Sequence, residues 1–134
     1  MKVVKYGQKV NENSILCLGY FDAIHKGHKS IIEIAKNKAK SQNLKVALML
    51  FTGGKNGEKD VFTLDERLYL LEHEGVDIVI VQKLDAAFMS KSKVEFLDDI
   101  FAFTNAKAIV TGKDFKFGKK AQGNVEFLKE FHCW

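Results

Sequence analysis

The chain has 134 residues, of which 46% are hydrophobic and 28% charged, and a formal net charge of +4. That describes one folded domain with a real core, not a disordered chain, and no apolar run reaches the ~20 residues of a membrane-spanning helix. Arg67 is the only arginine, which argues against nucleic-acid readout built on bidentate arginine; the lysine excess suits small anions such as nucleotides, and equally a solvated surface.

In chain order, Lys2 to Tyr6 reads as a short edge strand or an ordered tail, and Asn11-Glu12-Asn13-Ser14 as a turn cluster. Ile15 to Leu18 is a continuous apolar run, the mark of a parallel strand covered on both faces. It enters Gly19-Tyr20-Phe21-Asp22-Ala23-Ile24-His25-Lys26-Gly27-His28, and an apolar-periodic helix leaves that stretch. Ile31, Ile32, Ile34, Ala35 and Ala39 are expected inward, with Ser41-Gln42-Asn43 ending the helix. Val46 to Phe51 is a second strand, followed by a glycine-rich loop from Thr52 to Asp60 that lacks the phosphate-binding spacing G-x-x-x-x-G-K-[ST].

Thr63-Leu64-Asp65-Glu66 predicts a capping box opening the next helix. Leu64, Leu68, Leu70 and Leu71 supply its apolar side, and Gly75 falls where its C-terminal cap belongs. His73, late in this helix, suits the dipole there and reads as structural. Ile78 to Val81 is a third strand, and Lys93 to Phe103 a helix with Phe96, Leu97, Ile100 and Phe101 on its apolar face. Ala106 to Thr111 is the next strand, delivering Gly112 to Gly118 from its carboxyl end; Val125 to Phe131 is a last short helix. Strands alternating with helices predict an α/β fold with right-handed crossovers, a parallel sheet and helices on both faces. In such sheets ligands bind beyond the carboxyl ends of the strands, where the strand order reverses. Both glycine-bearing segments follow strands, so one edge of the sheet should hold both.

The first segment has the makings of a polyphosphate cradle. The first turn of a helix leaves N–H groups unpaired and carries partial positive charge. His25 and His28, three apart, can share a face of that helix. Gly27 removes a side chain where a phosphate approaches the backbone. The histidines could also be a surface or capping pair, or two ligands of a metal, but no third ligand of suitable type lies nearby. Cys17, inside an apolar strand, is a poor nucleophile.

The pattern G-x-F-D-x-x-H-x-G-H at Gly19 to His28 resembles the signature of the nucleotidyltransferase superfamily. Val110-Thr111-Gly112-Lys113-Asp114-Phe115-Lys116-Phe117-Gly118, then Gly123-Asn124, looks like the second motif of one branch. That branch is the FAD synthetase (FMN adenylyltransferase) module of bacterial bifunctional riboflavin kinase/FAD synthetases. The resemblance implies a Rossmann-like sheet of nucleotidyltransferase type and the reaction of FMN with ATP to give FAD and pyrophosphate. It implies that Gly19, Phe21, Asp22, His25, Gly27 and His28 bind ATP, that His25, His28 and Asp114 are catalytic, and that Asp114 and Phe117 meet the flavin. Asp22 either orders the turn through its own backbone or contributes to the metal–nucleotide environment. Mg²⁺ is expected to arrive with ATP, without a dedicated protein metal site.

The family's loop after the second strand normally bears proline; here it is glycine-rich and shorter, and Lys116 stands where the second motif usually has arginine. No later I-S-S-x-x-[IV]-R stretch occurs. The expectation is therefore a single nucleotidyltransferase-like domain over residues 1–134, truncated at its C-terminal end, with no riboflavin kinase domain. Two alternatives accompany the enzyme: a catalytically impaired flavin- or nucleotide-binding remnant of the module, and another nucleotidyltransferase of the superfamily. ATP and FMN are the expected partners, with no nucleic acid and no membrane, and the oligomeric state stays open. Met1 to Tyr6 lacks the apolar core of a signal peptide, and Cys17 and Cys133 are poorly placed to pair, so a cytoplasmic location is expected.

Overall fold

The computed structural model describes residues 1–19, 26–53, 63–112 and 123, and of residues 26–28 the backbone alone. Among the described residues nine elements follow one another: β1 (Lys2–Lys5), β2 (Val10–Leu18), α1 (Lys26–Gln42), β3 (Lys45–Thr52), α2 (Leu64–His73), β4 (Ile78–Lys83), α3 (Ala86–Met89), α4 (Lys93–Phe103) and β5 (Thr104–Thr111). The expected helix at Val125–Phe131 lies outside the described residues.

All described strand pairs are parallel, and the sheet order is β1-β4-β3-β2-β5. From β2 the chain steps one way through α1, β3, α2 and β4. It then crosses back through α3 and α4 to lay β5 on the other side of β2. Keeping one crossover hand while reversing direction sends the later helices to the opposite face. The two buried clusters agree. Ile15, Cys17, Val46, Leu48, Leu50 and Val79 pack with Ile32, Ala35 and Ala39 of α1 and Leu71 of α2. The alternate strand residues, among them Leu16, Leu18, Met49 and Ile80, pack with Phe96, Leu97, Ile100 and Phe103 of α4. Period-two alternation with both faces apolar is why these strands read as unbroken hydrophobic runs.

The helix ends follow local chemistry. Thr63 Oγ1 accepts the Glu66 N–H at 3.1 Å, and Glu66 Oε1 accepts the Thr63 N–H at 3.0 Å, closing the expected box on α2. Ser92 and Glu95 close a second box on α4, at 3.1 and 3.3 Å. At the other end of α2, Gly75 has φ +96°, a left-handed backbone that calls for glycine. Asn43 ends α1 in the left-handed region at φ 55°.

Several expectations are corrected. Asn11 to Ser14 is part of β2, not a turn. Before Ser14 this strand pairs with β5 alone, through an irregular register, and Asn105 Nδ2 donates to the Asn11 carbonyl at 2.6 Å. A half-exposed stretch bonded on one side tolerates polar residues that read as loop. Ile34 is 55% exposed, because Ile32, Ala35 and Ala39 already define the buried stripe of α1. In α2 Leu64 is exposed, while Arg67 is fully buried beside Leu71 on the inner side. Helix α3 went unanticipated; four residues show no periodicity, and its one signal is Asp85, whose Oδ1 accepts the Phe88 N–H at 2.8 Å. Beyond β1, Tyr6 donates its hydroxyl to Asp99 Oδ2 at 2.8 Å, and Lys91 meets the same oxygen at 2.9 Å. Burial first, then the carboxylate, pushes that phenol well above its ordinary range, so it remains a donor tying β1 to α4.

Candidate functional site

The sheet reverses its strand order between β2 and β5. Their register runs Ile15 to Ala108, Leu16 to Ile109, Cys17 to Val110 and Leu18 to Thr111. The next residues, Gly19 and Gly112, therefore leave adjacent parallel strands side by side at the carboxyl edge. Both sequence motifs begin at that edge, at the switch point where α/β sheets bind ligands. Gly19 is buried and Gly112 half-buried.

Helix α1 packs chiefly against β2 and reaches both of its neighbours, β3 and β5. It runs back from the carboxyl edge, and its N-terminal N–H groups belong to the site end of the molecule. Its first turn contains no acidic residue. Ile31 links the two motifs directly: a β-carbon at Gly112 would meet Ile31 Cδ1 at 3.8 Å. Ile31 also packs with Ala108 and Val110 against the α1-side core. The backbone position of His28 is one turn before Ile31, on the line of α1 that faces the sheet. Thr111 Oγ1 donates to the Gly112 carbonyl at 3.3 Å, turning a polar side chain into the strand exit.

Of the residues singled out by sequence, Gly19 and Gly112 are placed together, and Gly27 and His28 fall in the first turn of α1. Phe21, Asp22, His25, Asp114 and Phe117 lie outside the described residues, as do Thr52–Asp60 beyond Gly53 and Lys113–Gly118. Gly123 is buried and forms a bridge. Ile31 escaped the sequence reading as a site neighbour; its position three residues after His28 was the available signal. Burial pushes the Cys17 thiol up to about 12, so it carries no thiolate at neutral pH. A surface hollow of about 490 Å³ on the outer side of α2 is lined by Asp65, Glu66, Tyr69 and Leu70, none of which belongs to either motif. Among the described residues no three His, Cys, Asp or Glu side chains converge as a metal cage. No helix among them is long and apolar enough to cross a membrane.

The profile of the FAD synthetase family matches residues 7–133. The bifunctional riboflavin kinase/FMN adenylyltransferase of Haemophilus influenzae is 33% identical over 129 residues, covering 90% of this chain and 42% of that protein. The protein of the same description from Buchnera aphidicola is 31% identical over 131 residues, covering 92% of this chain and 42% of its own. The chain thus spans about two-fifths of the relatives it matches. Among solved structures, one described as a macrolide-efflux protein from Streptococcus pneumoniae superposes with a TM-score of 0.87 at 26% identity, covering 99% of this chain and 48% of the other.

Proposed function

Because this chain belongs to the FAD synthetase family, we propose that it is an FMN adenylyltransferase, transferring AMP from ATP to FMN to give FAD and pyrophosphate. The observation that carries the reading is the side-by-side exit of β2 and β5 in register, which sends both motifs of the family from one crevice.

The chemistry asks for little beyond placement and charge. The FMN phosphate has a second pKa near ~6 and is largely dianionic at neutral pH. One of its oxygens attacks the α-phosphorus of ATP, the bond to the bridging oxygen breaks, and pyrophosphate leaves with the electron pair. Neither a protein nucleophile nor a strong base is required; Cys17 is in any case buried and protonated. The N–H groups of the first turn of α1, with His25 and His28, hold the phosphates and oppose the charge that builds on them. Gly19, Phe21, Asp22 and Gly27 complete the ATP side. Asp114 belongs near the junction of flavin phosphate and ATP, and Phe117 stacks on the flavin ring. Mg²⁺ enters on ATP as part of the substrate, held chiefly by phosphate oxygens. The same reading places the protein in the cytoplasm, with its nucleotide donor.

The test is direct. The protein is mixed with FMN, ATP and Mg²⁺, and the products are separated by chromatography. FAD and pyrophosphate should accumulate in equal amounts. Nucleotide binding without FAD would overturn the enzymatic reading, and transfer of AMP to an acceptor other than FMN would change the substrate.

A further inference from the structure

The proposed reaction is catalysed by placement, so what fixes the distance between the two motifs matters as much as the groups that touch phosphate. Helix α1 carries the first motif at its start, and β5 delivers the second from its end. Among the described residues, Ile31 Cδ1 borders the space above Gly112, 3.8 Å from where a β-carbon would stand.

We propose that Ile31 is a positioning residue for adenylyl transfer, holding the start of α1 against the exit of β5 across the β2/β5 crevice. The inference rests on the adenylyltransferase reading and adds to it a residue that neither motif contains.

Three features support it. Gly112 does not have the positive φ that would by itself call for glycine, so what distinguishes it is the space its missing side chain leaves. The δ-carbon of Ile31 borders that space, 3.8 Å from where a β-carbon would be, an ordinary van der Waals separation. Ile31 thus reaches across to the strand exit without filling the place of a β-carbon there. Ile31 is also only half-buried, unlike its neighbour Ile32, which is fully buried in the core below. Ile32 holds α1 to the sheet, leaving Ile31 to set how the first turns of α1 stand over β5. Lastly, Ile31 is one helical turn from His28, so a shift of α1 at Ile31 moves the phosphate-binding end with it.

Misplacing reacting groups by about 1 Å can cost on the order of a hundredfold in rate. Ile31→Ala should lower kcat for FAD formation about tenfold, a smaller displacement of the same kind. KM for ATP should change less than about twofold, because the N–H groups and histidines remain. Ile31→Val, which deletes only the δ-carbon, should lie between. Gly112→Ala returns one methyl group to the same volume. Alone it should leave kcat close to parental, because a β-carbon there meets Ile31 at an ordinary van der Waals separation; combined with Ile31→Val it should give a kcat above that of Ile31→Val alone, since the added methyl group restores part of the lost contact.

The experiment measures kcat and KM for both substrates in the parent, Ile31→Ala, Ile31→Val, Gly112→Ala and the double variant. Circular dichroism and the melting temperature report the folded fraction. A fall in kcat per folded molecule with recovery in the double variant supports the positioning role. A parental kcat in folded Ile31→Ala overturns it, as do losses that track only the unfolded fraction or a double variant no better than Ile31→Val alone. If the parent itself forms no FAD, the adenylyltransferase reading fails and takes the positioning role with it; if the parent forms FAD and Ile31→Ala matches it, the positioning role alone fails.

Discussion

The first turns of three helices differ in a way that separates scaffold from site. Helices α2 and α4 open with their own caps: Thr63 with Glu66, and Ser92 with Glu95, each pair satisfying two backbone donors. Both place an acidic residue in the first turn, opposite the positive end of the dipole. Helix α1 opens with Lys26-Gly27-His28-Lys29 and no acid at all. Cations and glycine are a poor choice for helix stability at that end. They are a good choice if the missing negative charge is supplied by a ligand. The same fold thus finishes two helix starts internally, whereas the first turn of α1, at the β2/β5 switch point, carries no acid of its own.

The largest way to break this contrast is to remove the ligand-holding side of α1. His28→Ala should slow FAD formation about a hundredfold, the order of losing one preorganised donor to developing charge. The circular dichroism spectrum should not change, since alanine is the best helix former and keeps the first turn of α1. A timed FAD assay checks this, and a parental rate would move the phosphate site away from α1.

A second substitution should have opposite effects on the free and the liganded protein. Lys26→Glu puts an acid at the start of α1, as α2 and α4 already have. The free protein should gain about 0.3–1 kcal/mol from the dipole. ATP affinity should fall, by about fivefold, because an anion replaces a cation near the triphosphate at a cost of roughly 1 kcal/mol. Melting without nucleotide and calorimetric titration with ATP read the two arms. A gain, or a loss, in both would show that the first turn of α1 is an ordinary helix start.

The caps of α2 and α4 should behave the other way round. Thr63→Ala or Ser92→Ala should each cost about 1 kcal/mol of stability, or roughly 4 °C in melting temperature. Neither should alter ATP affinity, since both caps are closed within their own helices. A loss of ATP binding in the folded Thr63→Ala variant would tie α2 to the site.

How much of this the sequence disclosed depended on whether the cause was local. The capping box at Thr63 to Glu66 was legible because it is a four-residue reaction between near neighbours. The strands were legible because both faces of the sheet are covered, leaving Leu48 and Met49 buried on opposite sides in one apolar run. Asn11 to Ser14 misled because their strand character comes from β5, some ninety residues away: Asn105 binds the Asn11 carbonyl. Ile34 misled because isoleucine is apolar wherever it falls, and only packing decides which stripe of α1 is inside. Arg67 was not among the residues expected on the inner side of α2, yet it is fully buried there. At the site, the motif glycines marked the strand exits, and the sheet order supplied the adjacency of Gly19 and Gly112. The contact of Ile31 above Gly112 is tertiary and carries no motif of its own.

The smallest expected effect is one of pH. The Thr63 N–H, bonded to the Glu66 carboxylate, holds that group below its ordinary value of 4.5. A folded-state value lowered in this way contributes stability that is fully present above 4.5. That contribution disappears as the pH falls through the lowered folded value, because the folded protein must then give up its charged acceptor. Glu66→Gln keeps a side-chain acceptor at the same position but removes the charge, so it isolates this contribution. The parent should therefore melt slightly above Glu66→Gln at pH 7, and the two should converge near pH 3. Helix α1 has no acid in its first turn and so no contribution of this kind to lose. Glu66 is fully solvated, which keeps the effect small. Melting curves of the two proteins at both pH values provide the measurement. An equal gap at pH 7 and pH 3 would mean that the Glu66 charge is not what α2 gains from its box, and that the hydrogen bonds alone distinguish it from α1.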